Sequence, residues 1–70
     1  MTIQNPSIEL LEALAELGRT YPNWRLGQML VNVAMAAGRL EAGAVWDLED
    51  DEALRAVKAM LQQHEQLMSV

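Results

Sequence analysis

A single segment in the first half of the chain decides the fold, and it reads Tyr21-Pro22-Asn23-Trp24-Arg25-Leu26-Gly27-Gln28-Met29-Leu30-Val31-Asn32-Val33-Ala34. Pro22 ends any helix before it, because its ring cannot continue a helix and it holds Tyr21 in extended geometry. Asn23 then offers a side-chain oxygen to the free amides of a new helix, the usual role of Asn at an N-cap. The segment therefore predicts a turn and then a central helix around which the rest of the chain packs.

The predicted central helix is apolar around most of its circumference. At about 100° per residue its polar side chains fall on one stripe, formed by Arg25, Gln28, Asn32 and Arg39. A helix of this kind must be buried on most sides, and two neighbouring helices in so short a chain can hardly cover it alone. We therefore expect a second copy of the chain, or another protein, to cover the remainder.

Two more helices are predicted on either side of the central one. Asn5-Pro6 indicates a helix start, with Asn as the cap and Pro in the first helical position. Gly38 is a candidate terminator for the central helix, and Gly43 is a second bend. The run from Glu49 to Glu52 places negative charge in the first turn of a last helix. The sequence thus predicts one all-α domain over residues 1–70, a small three-helix bundle with helices near 6–19, 23–38 and 50–67 and a longer second connector.

Composition favours self-association and disfavours several partners. A domain of 70 residues buries only about 60% of its unfolded surface, so its stability alone is marginal. The chain has no Cys that could form a disulfide or bind a metal, while 51% of its residues are hydrophobic, so a homodimer is the expected way to bury them. The net charge of −5 argues against nucleic acids and anionic membranes, which require clustered Lys and Arg.

The chain start and the hydropathy pattern bear on location. Residues 1–5 contain neither the basic region nor the apolar run of a signal peptide. No stretch approaches the ~20 apolar residues of a transmembrane helix. We therefore expect a cytoplasmic protein.

The pattern Tyr21-Pro22, Arg25, Gly27-Gln28 and Asn32, followed by Trp46 and the acidic stretch up to Leu54, resembles a group of small bacterial helical proteins. In them a YPxxRxGQxxxN segment precedes an aromatic residue and an EDDEL-like helix start. The resemblance covers residues 21–54, and the connector of this chain is longer than the group's pattern. The group has no assigned activity, so the resemblance implies a helical fold and no particular function.

Six residues form the candidate site: Tyr21, Trp24, Arg25, Gln28, Asn32 and Trp46. We expect Val45 and Trp46 to turn inward, with Trp46 near Trp24 or Tyr21, because large rings dominate small cores.

The polar stripe has a structural and a functional interpretation. Guanidinium and amide groups bind carboxylates and backbone edges in fixed geometry. In the structural interpretation Arg25 contacts the acidic segment 47–52 or the connector backbone, and Asn32 bonds to connector backbone. In the functional interpretation, these side chains hold a peptide or a small ligand.

No residue pattern predicts catalysis. His64 is the one histidine, and no spacing places a nucleophile or an acid against it, so we interpret it as a border residue of the core. The acidic run lacks the alternating ligands and Gly of a calcium loop, and no cofactor is expected.

The leading hypothesis is a non-catalytic interaction or assembly module that acts as a homodimer. The alternatives are a ligand- or peptide-binding protein that uses the stripe, and an immunity- or antitoxin-like regulator of another protein; a DNA-binding domain is disfavoured by charge.

Overall fold

The computed structural model describes residues 6–41 and 43–68. Within these ranges the chain is all-helical, which confirms the predicted fold class, and its helices are α1 (Pro6–Thr20), α2 (Leu26–Ala36), α3 (Ala44–Asp47) and α4 (Asp50–Met68). The first and last predicted helices agree with α1 and α4 to within one residue. The predicted cap Asn5 lies outside the described residues.

The most extensive helix packing in the described residues involves α4. This helix packs against both α1 and α2, and α2 also contacts α3. Ser7 bonds to Asp50 at one end and Tyr21 touches His64 at the other, so α1 and α4 run parallel and α2 runs back against them. The prediction that the chain packs around α2 is wrong, because 11 residues are too few for that role and the 19 residues of α4 supply the longer surface.

The core lies where α1 and α2 meet α4. Leu17, Val33 and Val57 come from these three helices and are almost fully enclosed. Ala53 and Ala56 present small side chains to the same cluster, and Met29 completes it. Small residues on α4 let both neighbouring helices approach its axis, since interaxial distance depends on the side chains at the contact.

The start of α2 corrects one prediction. The Trp24 amide donates to the Tyr21 carbonyl over 3.1 Å, so residues 21–24 form a β-turn with Pro22 in the second position, for which its fixed φ is suited. Asn23 belongs to this turn and does not cap the helix. The N-cap is Arg25, whose backbone is extended and whose side chain makes no capping bond.

The end of α2 follows the prediction. Gly38 has a φ of 89°, and its amide donates to the Met35 carbonyl while the Arg39 amide donates to the Ala34 carbonyl, each over 2.9 Å. These two bonds make a Schellman motif, the common glycine-dependent end of a helix. Gly43, with a φ of 81°, then precedes α3, a short helix that the sequence pattern did not predict.

The molecule is flat, with extents of 37 × 37 × 19 Å. Neither α1, α2, α3 nor α4 is long and apolar enough to cross a membrane.

Candidate interaction surface

The exposed large apolar side chains are distributed unevenly over the helices. Only Leu67 belongs to α4. The others lie on α1, α2, the connector and α3, and we call them the apolar face: Ile8, Leu11, Leu26, Val31, Met35, Leu40, Val45 and Trp46.

The back of α4 is polar. At about 100° per residue, its exposed residues lie on the far side of the helix from buried Val57, and they include Asp51, Arg55, Lys58, Gln62 and Gln66. On α1 and α2 the outward positions include large apolar side chains, beside exposed polar ones such as Glu12, Arg19 and Gln28. Val31 and Met35, for example, lie about 160° around α2 from buried Val33. The large exposed apolar side chains are therefore concentrated on α1, α2, the connector and α3, whereas the exposed side of α4 is mostly polar.

A groove lies between α1 and α2, and it shares Val45 with the apolar face. The two helices meet near the turn, where the Met29 Sδ lies 4.0 Å from the position that a Cβ on Gly18 would occupy. Away from the turn they enclose a cavity of about 160 Å³. Its walls come from α1 and α2, its floor from α4 and its end from α3, through Leu10, Leu14, Leu30, Val33, Val45, Leu48, Asp50 and Ala53.

Trp46 points away from the core, so the prediction that it turns inward beside Trp24 or Tyr21 is wrong. Its side chain is 93% exposed. Leu48 is the residue after α3 that packs against the core. Because residues two apart on a helix point about 200° apart, Trp46 faces away from the side on which Leu48 packs. Val45 is also exposed, although it lines the end of the groove.

The other two aromatic residues lie together. The Tyr21 and Trp24 rings stack with centroids 4.2 Å apart and planes 7° from parallel, an arrangement that holds the turn closed. His64 meets the Tyr21 ring edge-on at 5.1 Å. The half-buried His64 therefore sits at the border of the core, where the sequence placed it.

Three residues of the polar stripe, Arg25, Gln28 and Asn32, do not make the contacts that we predicted. Arg25 and Gln28 are exposed and Asn32 is half-buried. Within residues 6–41 and 43–68, no ion pair or hydrogen bond joins these three side chains to another residue. The stripe is therefore left open to solvent along the outer flank of α2.

Arg39 makes the contact that was predicted for Arg25. Its Nε donates to Oε2 of Glu52 and its Nη2 to Oε1, each over 3.0 Å. The Schellman turn at Gly38 brings Arg39 to the start of α4, whereas Arg25 lies at the opposite end of α2, about 16 Å along the helix axis. The acidic segment was predicted correctly, and the arginine was not.

The Arg39–Glu52 pair is the most shielded ion pair in the described ranges, with side chains 34% and 23% exposed. The hydrogen bond from Arg39 lowers the pKa of Glu52, and the same bond raises the pKa of Arg39. Glu52 also accepts the Glu49 amide over 3.4 Å, as the third residue of a capping box does.

Of the five basic residues of the chain, Arg25 alone forms no salt bridge within the described ranges. Arg19 pairs with Glu16, Arg39 with Glu52, Arg55 with Asp51 and Lys58 with Glu9. Arg25 lies at the turn end of the molecule. The opposite end carries a group of carboxylates around α3 and the start of α4, namely Glu41, Asp47, Glu49, Asp50 and Asp51. Arg25 and this group of carboxylates therefore lie toward opposite ends of α2.

The chain matches no protein-family profile, no curated protein and no solved structure.

Proposed function

We propose that this chain is a non-catalytic, cytoplasmic protein-interaction module that binds its partner through the apolar face. The observation that carries the proposal is the concentration of the large exposed apolar side chains on α1, α2, the connector and α3, with only Leu67 among them on α4. Contiguous apolar surface on a small domain marks an interaction site. The lack of Cys favours the cytoplasm, because small exported domains commonly depend on disulfides.

The dimensions of the groove favour a protein partner over a free small molecule. Small-molecule sites commonly occupy about 300–1,000 Å³, whereas this groove holds about 160 Å³. Its lining is mostly leucine, valine and alanine, which suits one or two apolar side chains that project from a partner. Trp46, exposed next to the groove-lining Val45, is of the residue type that contributes most at interfaces.

The polar stripe has a secondary role in this proposal. Arg25, Gln28 and Asn32 lie on the outer flank of α2, beside Val31 and Met35. Polar residues at the margin of an apolar patch typically form the rim of an interface and set its register. The stripe thus contributes to orientation, and the apolar face contributes the affinity.

A photo-crosslinking experiment tests this proposal directly. A photoreactive amino acid is placed at Val31 on the apolar face or, as the matched control, at Gln62 on the back of α4. The two variants are illuminated in living cells and in purified form. We expect discrete adducts from position 31, whether to a second copy or to another protein, and few from position 62. Equal yields from the two positions would show that the apolar face is not an interaction surface.

A further inference from the structure

The charge distribution along the apolar face indicates which partner fits. The Arg25 guanidinium, without an ion pair, marks one end of the face. Glu41 and Asp47 flank Trp46 at the other end; neither forms a salt bridge in the described ranges, although both are close enough to Arg39 to help raise its pKa. A second copy of the chain, turned end for end, offers the complementary charge at both ends at once. A dimer with a two-fold axis makes every contact twice, so the pairing of the basic residue with the acidic group occurs at both ends.

The position of α2 makes this arrangement feasible. Its outward residues Val31 and Met35 are exposed and apolar. With a two-fold axis near Val31, the α2 helices of two copies cross in antiparallel directions, and Arg25 of one copy approaches the α3 end of the other.

From these observations we infer that the chain forms a two-fold symmetric homodimer through the apolar face, with Arg25 of each copy paired with Asp47 of the other. The inference rests on the proposed function and names its partner. In such a dimer the two exposed Trp46 rings are covered, and the basic residue that lacks an internal partner obtains one.

Charge reversal tests the pairing. Arg25→Glu and Asp47→Arg are prepared separately, and self-association is measured by sedimentation equilibrium. Each single variant should self-associate about tenfold or more weakly than the parent, because one substitution converts two attractive contacts into two repulsive ones. An equimolar mixture of the two variants should recover affinity close to that of the parent, because both contacts in the mixed dimer are again attractive.

Two controls separate this result from general effects of charge. Arg55→Glu, on the back of α4, changes the net charge as much as Arg25→Glu does and should leave self-association within about threefold of the parent. Circular dichroism verifies that every variant keeps its helix content. If the mixture associates no better than the single variants, the antiparallel pairing is wrong.

Fluorescence supplies a second measurement that does not depend on charge. In Trp24→Phe the emission comes from Trp46 alone, and it should move to shorter wavelength as the concentration rises and the ring is covered. In Trp46→Phe the emission comes from Trp24, and it should not change with concentration. Unchanged Trp46 emission across the association range would contradict the proposed interface.

The outcomes also separate this inference from the proposed function. A parent chain that stays monomeric at about 100 µM overturns the homodimer. If position 31 still forms an adduct with a different protein in cells, the interaction module stands and its partner is not a second copy. If positions 31 and 62 react equally, both ideas fail.

Discussion

Arg39 and Glu52 are joined by two parallel hydrogen bonds, Nε to Oε2 and Nη2 to Oε1, each 3.0 Å long. They connect the residue that follows the Schellman turn of α2 to the first turn of α4. Glu52 also accepts the Glu49 amide, so one carboxylate caps α4 and anchors the connector. Since α3 lies within this connector, the pair holds Trp46 and Val45 on the apolar face.

Arg39→Ala should lower the melting temperature by about 5 °C, because it removes a bidentate, charge-assisted contact. Arg55→Ala is the matched control: it removes an exposed pair 3.6 Å long between Arg55 and Asp51 and should change the melting temperature by less than about 2 °C. Thermal unfolding followed by circular dichroism compares the two. Equal losses would mean that the Arg39 pair adds no more than an ordinary surface contact.

The same pair predicts a pH dependence with a definite sign. Arg39 lowers the pKa of Glu52 below the ordinary value of 4.5, so the native state holds this carboxyl ionised where the unfolded state already binds a proton. Its contribution is therefore complete above about pH 4.5 and is lost as the pH falls through the lower native value. The pKa of Arg39 is raised, so this residue stays charged throughout the range.

Glu52→Gln tests that dependence. The melting temperature of the parent should exceed that of Glu52→Gln at pH 7, and the difference should shrink as the pH drops below about 4.5. Both proteins are scanned at half-unit intervals from pH 7 to about pH 3. A difference that stays constant over this range would show that ionisation of Glu52 does not contribute to stability.

Gly38 should be sensitive to substitution, whereas Gly27 should not. Gly38 has a φ of 89°, in the left-handed region where a side chain costs about 1–2 kcal/mol. Gly38→Ala should lower the free energy of unfolding by that amount in urea titrations. Gly27 lies inside α2, and a Cβ there meets nothing within 4 Å, so Gly27→Ala should be neutral or stabilise by about 0.5–1 kcal/mol. If both variants had the same effect, the left-handed conformation at Gly38 would not be the cause.

Local chemistry accounts for the features that the sequence predicted well. Apolar periodicity, the proline at the start of α1 and the acidic first turn of α4 predict both helices to within one residue. Gly38 was identified because a left-handed residue after a helix requires almost no side chain. These signals depend on neighbours within one or two helical turns.

The features that the sequence missed depend on contacts between distant residues or on a choice between two local options. Asn23 suits a helix cap and a turn equally well, and the stacking of Tyr21 on Trp24 accompanies the turn. Arg25 and Arg39 fall on the same stripe, and the direction of the chain after Gly38 determines which of them reaches Glu52. Trp46 lies in a helix of four residues, too short to show periodicity.

Leu17 and Leu11 lie on the same helix, but their truncation should affect different properties: the stability of the fold for Leu17 and the association of the chain for Leu11. Leu17 is 0% exposed and belongs to the core between α1 and α4, whereas Leu11 is 65% exposed on the apolar face. Leu17→Ala removes a buried side chain and leaves a cavity, a change that costs about 2–5 kcal/mol. A domain of this size rarely has more than about 3–5 kcal/mol of stability from its core, so this variant should be largely unfolded at 25 °C.

Leu11→Ala should keep the unfolding free energy of the dilute chain within about 0.5 kcal/mol of the parent and should weaken association instead. Urea titration at low concentration measures the first effect, and sedimentation at high concentration measures the second. If Leu11→Ala destabilised the dilute chain as much as Leu17→Ala does, Leu11 would belong to the protomer's own core. The apolar face could then not be the free surface on which the proposed assembly depends.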